Sequence, residues 1–189
     1  MAPRARSDET RIRILDSAAE AFRRRGYAAT GVDAVMAGAG LTHGGFYAHF
    51  SSKSDLLTAA IAHGSGRNEL FLQVAHLRGR ELIEATIAVY LSRWHRDHPE
   101  LGCTIPTLGA ELPRLDAELG AAMGGPVRTL SGFLAENLPP PAGTATARAQ
   151  ALLALLVGGV VTARTLPDDA ADHWLASCRD AARLLAGIP

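Results

Sequence analysis

Apolar residues recur at steps of three and four from near the start of the chain. Ile12, Leu15, Ala19 and Phe22 share one face, with charge on the others, which is the period of an amphipathic helix. Ser7 or Asp8 can cap its start, and Gly26 is placed to end it. Thr30-Gly31-Val32-Asp33 reads as a capping box with Thr30 at the cap. It opens a short helix whose apolar face is Val32, Val35 and Met36 and which Gly38 and Gly40 close before Leu41. Thr42 can cap a third, very short helix bearing Phe46 and Tyr47. Ser52-Lys53-Ser54-Asp55 is a second capping box, opening a helix through Leu56, Leu57 and Ile61 that Gly64-Ser65-Gly66 weakens or ends.

Beyond Asn68 the elements lengthen. A helical stretch runs from Leu82 to Trp94 and stops near His98-Pro99, because the residue before proline disfavours the helical region. A loop at Leu101 to Cys103 leads to a short helix around Thr107 to Leu112. Another helix runs from Leu115 to Asn137, with a kink or break at Gly124-Gly125-Pro126. Pro139-Pro140-Pro141 with Gly143 reads as a linker. Two last helices, Thr144 to Leu166 and Ala170 to Ala186, flank Pro167. No strand pattern competes, so the expected fold is all-α.

Composition supports this: 48% of residues are apolar, alanine and leucine dominate, and only 5% are aromatic. Net charge is zero, which excludes a uniformly basic nucleic-acid binder. Residues 1–53 nevertheless carry eight Lys/Arg against five Asp/Glu, while the rest carry eleven against fourteen. A basic head on an acidic body suits a protein that meets phosphates at one end. No apolar stretch of signal-peptide length follows the basic start. The longest apolar run, Ala151 to Ala163, falls short of the roughly 20 residues of a membrane span. Cys103 and Cys178 lie too far apart in sequence to suggest a disulfide framework. The expectation is a cytoplasmic protein without a membrane partner.

Function is concentrated in Thr30 to Leu57. A capped helix, a glycine-containing turn and a short helix with outward polar residues make a helix-turn-helix, whose second helix enters the major groove. Phe46 and Phe50 plug the core, leaving Thr42, His43, Tyr47 and His49 to face outward. Lys53 beside the capped start at Ser52 makes a natural phosphate site.

With Thr42, Gly44, Phe46, Tyr47, His49, Phe50 and Lys53, followed by Leu56 and Leu57, this stretch strongly resembles the TetR/AcrR DNA-binding domain. With the upstream helix and the Gly26-Tyr27 turn, the resemblance covers roughly residues 8–62. It implies phosphate contacts from Tyr47, His49 and Lys53, a backbone anchor at Thr30, Thr42 and His43 nearest the bases, and Gly44 within the same DNA-binding set. Gly45 departs from the pattern, which usually has a side chain there. Adjacent glycines cost a helix roughly 1 kcal/mol each relative to alanine and leave fewer side chains to read bases.

The resemblance further implies a three-helix DNA-binding domain over residues 1–52, with its connecting helix running to about 65, and a helical ligand-binding and dimerisation bundle over 53–189. The final two helices are the dimer candidates. Leu152, Leu153, Leu155, Leu156, Val157, Val160 and Val161 are apolar around most of one helix, and Gly158-Gly159 would admit a partner backbone. The same residues also suit a helix buried within one monomer. Phe71, Trp94, His98, Cys103, Thr107 and Met123 are candidates for an apolar effector pocket, or for core.

The segment from Leu101 to Leu112 resembles the glycine-cysteine segment of one subgroup, in some of whose members the cysteine senses electrophiles or oxidants. Cys103 reads either that way or as a small buried residue at a tight turn. His95, His98 and Cys103 could be metal ligands, but histidines near an exposed helix end are ordinarily solvated, and neither metal nor cofactor is expected.

The sequence therefore points to a non-enzymatic regulator. It would bind a palindromic operator in double-stranded DNA as a homodimer and be released, most simply as a repressor, by a hydrophobic or aromatic effector. The rivals are a ligand-binding or cysteine-based sensor whose DNA head is vestigial, and an enzyme. For the enzyme no nucleophile elbow, phosphate loop or metal-hydrolase motif speaks, and Glu111 and Asp116 read as surface acids.

Overall fold

The computed structural model describes residues 3–64, 69–140 and 144–188, and every regular element among them is helical. α1 (Pro3–Arg25) starts earlier than Ser7 or Asp8, with a proline in its first turn, where a missing N–H is harmless. It ends as the glycine signal predicts: Gly26 takes φ +81°, and its N–H returns to the Phe22 carbonyl at 2.9 Å. α2 (Val32–Gly38) follows, then a turn with Gly40 at φ +67°, a 3₁₀ helix (His43–Ala48), and α3 (Lys53–Gly64). Ile14, Phe22, Met36, Phe46, Phe50, Leu56 and Leu57 are buried together and make the head's core.

Two caps differ from their expected form. Thr30 does not cap α2; that position falls to Gly31. At α3 the Ser52 hydroxyl accepts the Asp55 N–H at 3.0 Å, but the Asp55 carboxylate reaches back one residue further than a capping box requires, to the Ser51 N–H at 2.9 Å.

The body is more finely broken than its periodicity suggests. It runs through α4 (Glu69–Leu72), α5 (Gly79–Tyr90), α6 (Arg93–Asp97), a 3₁₀ turn (Pro99–Leu101), α7 (Ile105–Leu108), α8 (Leu112–Leu115), α9 (Ala117–Ala122) and α10 (Gly124–Asn137). The Leu82 to Trp94 stretch is two helices, because Leu91 leaves the helical region at ψ 43° and Ser92 caps a new start. The Ser92 hydroxyl accepts the His95 N–H and donates to the Val89 carbonyl. Instead of one helix around Thr107 to Leu112 there are α7 and α8. The stretch from Leu115 to Asn137 is divided at Asp116, whose carboxylate accepts the Glu118 and Leu119 N–H groups, and again at Met123. Pro126 thus sits in the first turn of α10 and kinks nothing.

α11 (Ala145–Ala163) and α12 (Asp168–Ala186) complete the chain, with Pro167 immediately before α12. α11 extends six residues before the apolar run at Ala151 and is, by length and composition alone, long and apolar enough to cross a membrane, a test that the core helix of a folded body also passes. Here it packs against α12, α10 and α7, with Leu152, Leu156, Val160 and Ala163 fully buried. The apolar girth of α11 is thus partly explained within one chain. Gly159 also faces inward: a Cβ there would lie 2.8 Å from Leu91, and its carbonyl accepts the Trp174 indole N–H at 3.1 Å. Of this glycine pair it is Gly158 that opens outward, in line with the exposed Val161. Of the linker and helix-end readings, residues 141–143 and Ser65-Gly66 lie outside the described residues.

Candidate nucleic-acid interface and effector cavity

The 3₁₀ helix of the head divides its side chains cleanly. Phe46 and Phe50 turn inward, ring centroids 6.0 Å apart, and hold the segment down. Tyr47 is 70% exposed, and Thr42, His43 and Gly44 are exposed beside it, while His49 is half-buried. His43 Nδ1 pairs with the Asp33 carboxylate on α2, which ties the two elements of the motif together. Thr42 occupies the cap position, but its hydroxyl makes no capping bond. A Cβ at Gly44 would meet nothing within 4 Å, so the turn presents bare backbone there. Adjacent glycines weaken an α-helix, and the tighter 3₁₀ form is a short-range alternative.

Thr30 is 1% exposed, and its hydroxyl donates to the Gly26 carbonyl at 2.6 Å, inside the turn. It therefore braces the α1–α2 turn from within. Lys53 is half-buried, and its Nζ rests 4.2 Å from the centre of the Tyr27 ring. Partial burial lowers its pKa, against the pull of the Glu111 carboxylate.

Glu111, which reads as a surface acid in the sequence, stands instead at the junction of head and body. From the body it reaches the end of α1 and accepts two backbone N–H groups, from Tyr27 at 2.9 Å and Ala28 at 2.8 Å. A Cβ at Gly26 would stand 2.6 Å from its Oε2, so the glycine serves both the positive φ and the carboxylate's approach. Arg23, buried at the same junction, donates from Nε to the Glu100 carbonyl. The acid's neighbours in sequence gave no signal, because its partners lie 84 and 83 residues away.

Behind this junction is a cavity of about 180 Å³ lined by Gly64, Phe71, Ala75, Cys103, Thr104, Ile105, Pro126, Thr129, Leu130 and Phe133. None of these side chains is charged. Of the six pocket candidates, Phe71 and Cys103 are brought together here. Trp94 and His98 stack on each other elsewhere, ring centroids 5.3 Å apart, and Met123 is in the core. Thr107 does not line the cavity; its hydroxyl is buried without a hydrogen-bond partner.

Cys103 joins the cavity to a buried polar set. His95, fully buried rather than solvated, donates from Nδ1 to the Tyr90 carbonyl at 2.7 Å and accepts the Cys103 N–H on Nε2 at 3.1 Å. Both ring nitrogens are thus held by backbone, which corrects the metal-ligand alternative at this residue. Burial lowers the His95 pKa to about 4, so the ring is neutral and the tautomer is fixed by its partners. Burial pushes the Cys103 thiol up, while Tyr90, the Ile105 backbone, Arg23 and Arg164 pull it back in part.

A helix-turn-helix head with an exposed 3₁₀ segment thus packs on a helical body that holds an apolar cavity. Residues 14–60, the greater part of the head, match the family model for bacterial regulatory proteins of the tetR family. It is 40% identical over 58 residues to the HTH-type transcriptional regulator SrpR of Pseudomonas putida, a match covering 31% of this chain and 27% of SrpR. The same identity over the same length relates it to the uncharacterized HTH-type transcriptional regulator TtgW, also of Pseudomonas putida, of which 43% is covered. The chain thus matches less than half the length of either relative. In fold the whole chain is similar to E. coli NemR in its reduced form (TM-score 0.74, 22% identity, 93% of this chain and 96% of that one). It is similar also to a TetR-family regulator from Cytophaga hutchinsonii (TM-score 0.74, 24% identity, 97% and 96%).

Proposed function

We propose that this protein is a DNA-binding transcription regulator that grips a palindromic operator as a homodimer and lets go when a small apolar effector fills the cavity. The observation that carries the reading is the recognition turn: Thr42, His43 and Tyr47 exposed around a bare Gly44 backbone, on a head anchored by Phe46 and Phe50. The domain boundary falls between the head and the α4–α12 body, with α3 connecting them. The outer face of α11 and α12, with Gly158, Val161, Trp174 and Leu184 exposed, is the surface for a second copy. Two heads must stand about 34–36 Å apart to enter successive major grooves. An effector that favours another spacing weakens DNA binding by its differential affinity for the two states.

The test is enrichment of duplexes from a random pool, with the Tyr47→Ala, Lys53→Ala double variant as control. A palindrome should be enriched by the native chain, bound with a steep salt dependence, and lost by at least about 100-fold in the variant. A folded dimer that enriches nothing at moderate salt overturns the reading.

A second reading, sensing through Cys103, is favoured by one observation: the residue is part of the cavity wall. Its raised pKa argues that a reagent meets a thiol and not a thiolate. Cys103→Ser should leave release by an apolar ligand intact. If electrophiles release the native chain but not this variant, the cysteine reading stands.

A further inference from the structure

We propose that Glu111 is a positioning residue that sets the tilt of the DNA-binding head on the body, and that the cavity controls the head by loosening its grip. This rests on the reading of the head as DNA-binding and of the cavity as the effector site. One short strip of chain belongs to both places. Cys103, Thr104 and Ile105 form one wall of the cavity, and Glu111 lies six residues past Ile105.

Leu108 and Leu112, on either side of the acid, are 1% and 0% exposed. The strip is therefore pinned by packing, and a displacement of its cavity wall is passed along it and not absorbed by a slack loop. At its far end the grip is narrow. Two hydrogen bonds to one carboxylate hold the α1–α2 turn, and a Cβ at Gly26, already strained at φ +81°, would push the carboxylate out of its place. A carboxylate accepting two N–H groups is a charge-assisted pair, with directional demands that apolar packing lacks. Because α1 packs on both α2 and α3, a change at its C-terminal turn moves the recognition segment as a unit.

The carboxylate is needed in full. A glutamine keeps one acceptor oxygen but sets its NH₂ donors against a second N–H donor, so the paired bond cannot re-form. In the full chain, Glu111→Gln should speed amide exchange at Tyr27 and Ala28 by about tenfold or more and weaken binding to the enriched duplex by about tenfold. Ala75→Phe, which fills the cavity, should speed exchange at the same two amides. Thr129→Phe takes its place if that variant does not fold.

The decisive comparison is the double variant. If the cavity acts through Glu111, filling it adds nothing once Glu111 is glutamine, in exchange or in affinity. Additive effects overturn the proposal, as do exchange rates at Tyr27 and Ala28 that Glu111→Gln leaves unmoved. Should the native chain enrich no duplex, the regulator reading fails alone, and the exchange measurements still decide the clamp.

Discussion

In the head, Thr42, His43 and Tyr47 stand outward from a turn whose aromatic neighbours fill the core. In the body, Tyr90, His95 and Cys103 turn inward and meet one another. Both are polar groups on short, glycine-marked segments, and they serve opposite ends. The outward groups leave hydrogen-bonding capacity for another molecule. The inward set is occupied: His95 bridges the Tyr90 carbonyl and the Cys103 N–H, and Arg164 donates to the carbonyls of His95 and Arg96. These bonds hold chain segments in place, while the buried hydroxyls of Thr86 and Thr107 are left without a hydrogen-bond partner.

The sharpest way to break this comparison is at the glycines. Gly102 packs its Cα against the His95 ring, and any Cβ there would overlap the Cδ2 and Nε2 atoms. The ring cannot swing aside without leaving two buried backbone groups unpaired. Gly102→Ala should cost about 3–5 kcal/mol, by the overpacking and unsatisfied-group routes together. Gly132→Ala, on an open face of α10, should be neutral or stabilise the chain by up to about 1 kcal/mol. Thermal unfolding of the two variants checks both signs. Equal melting temperatures would mean that the His95 bridge is not what holds the 98–103 segment.

Much of this contrast could be read in advance on one side only. The head announced itself because its signals are local. Gly26 and Gly40 take positive φ, Ser52 caps α3, and Phe46 and Phe50 alternate with outward residues within a few positions. The body's organisation is set by side-chain bonds that helical periodicity does not carry. Ser92 and Asp116 divide long apolar stretches by capping new starts; both are favoured cap residues, so the signal existed but was outweighed by the repeat around it. The roles of Glu111 and His95 depend on partners that only the fold supplies. Trp94, His98 and Met123 are pocket-like in type, and only packing excludes them from the cavity wall.

A second effect, smaller than that of Gly102→Ala, is pH dependence. His95 is neutral in the fold, with a pKa of about 4, against about 6.5 for an unfolded histidine. Between those values the unfolded chain binds the extra proton, so stability rises with pH across the window. The contribution is complete above the unfolded pKa and is lost as pH falls toward 4. Lowering pH from 7.5 to 5 should remove about 2 kcal/mol through this group. Denaturant midpoints at the two pH values measure it, and His95→Gln should flatten the slope. An unchanged slope in that variant would assign the acid sensitivity to other groups and weaken the picture of the body's buried polar set.

The smallest predicted effect separates the two regions within the head itself. Thr30 belongs by resemblance to the DNA-contacting set and by burial to the internal one. Its hydroxyl donates to the Gly26 carbonyl at 2.6 Å and lies 3.3 Å from the Ala21 carbonyl. Thr30→Val keeps the branched shape and removes the donor, so it should destabilise the chain by about 1 kcal/mol. If the hydroxyl acts only internally, duplex affinity and its salt slope should match the native chain wherever the variant is fully folded. A loss of salt slope by about one phosphate contact, at unchanged stability, would return Thr30 to the DNA-facing set. That result would also show the head reorganising on DNA, because the hydroxyl has to leave the Gly26 carbonyl before it can meet a phosphate.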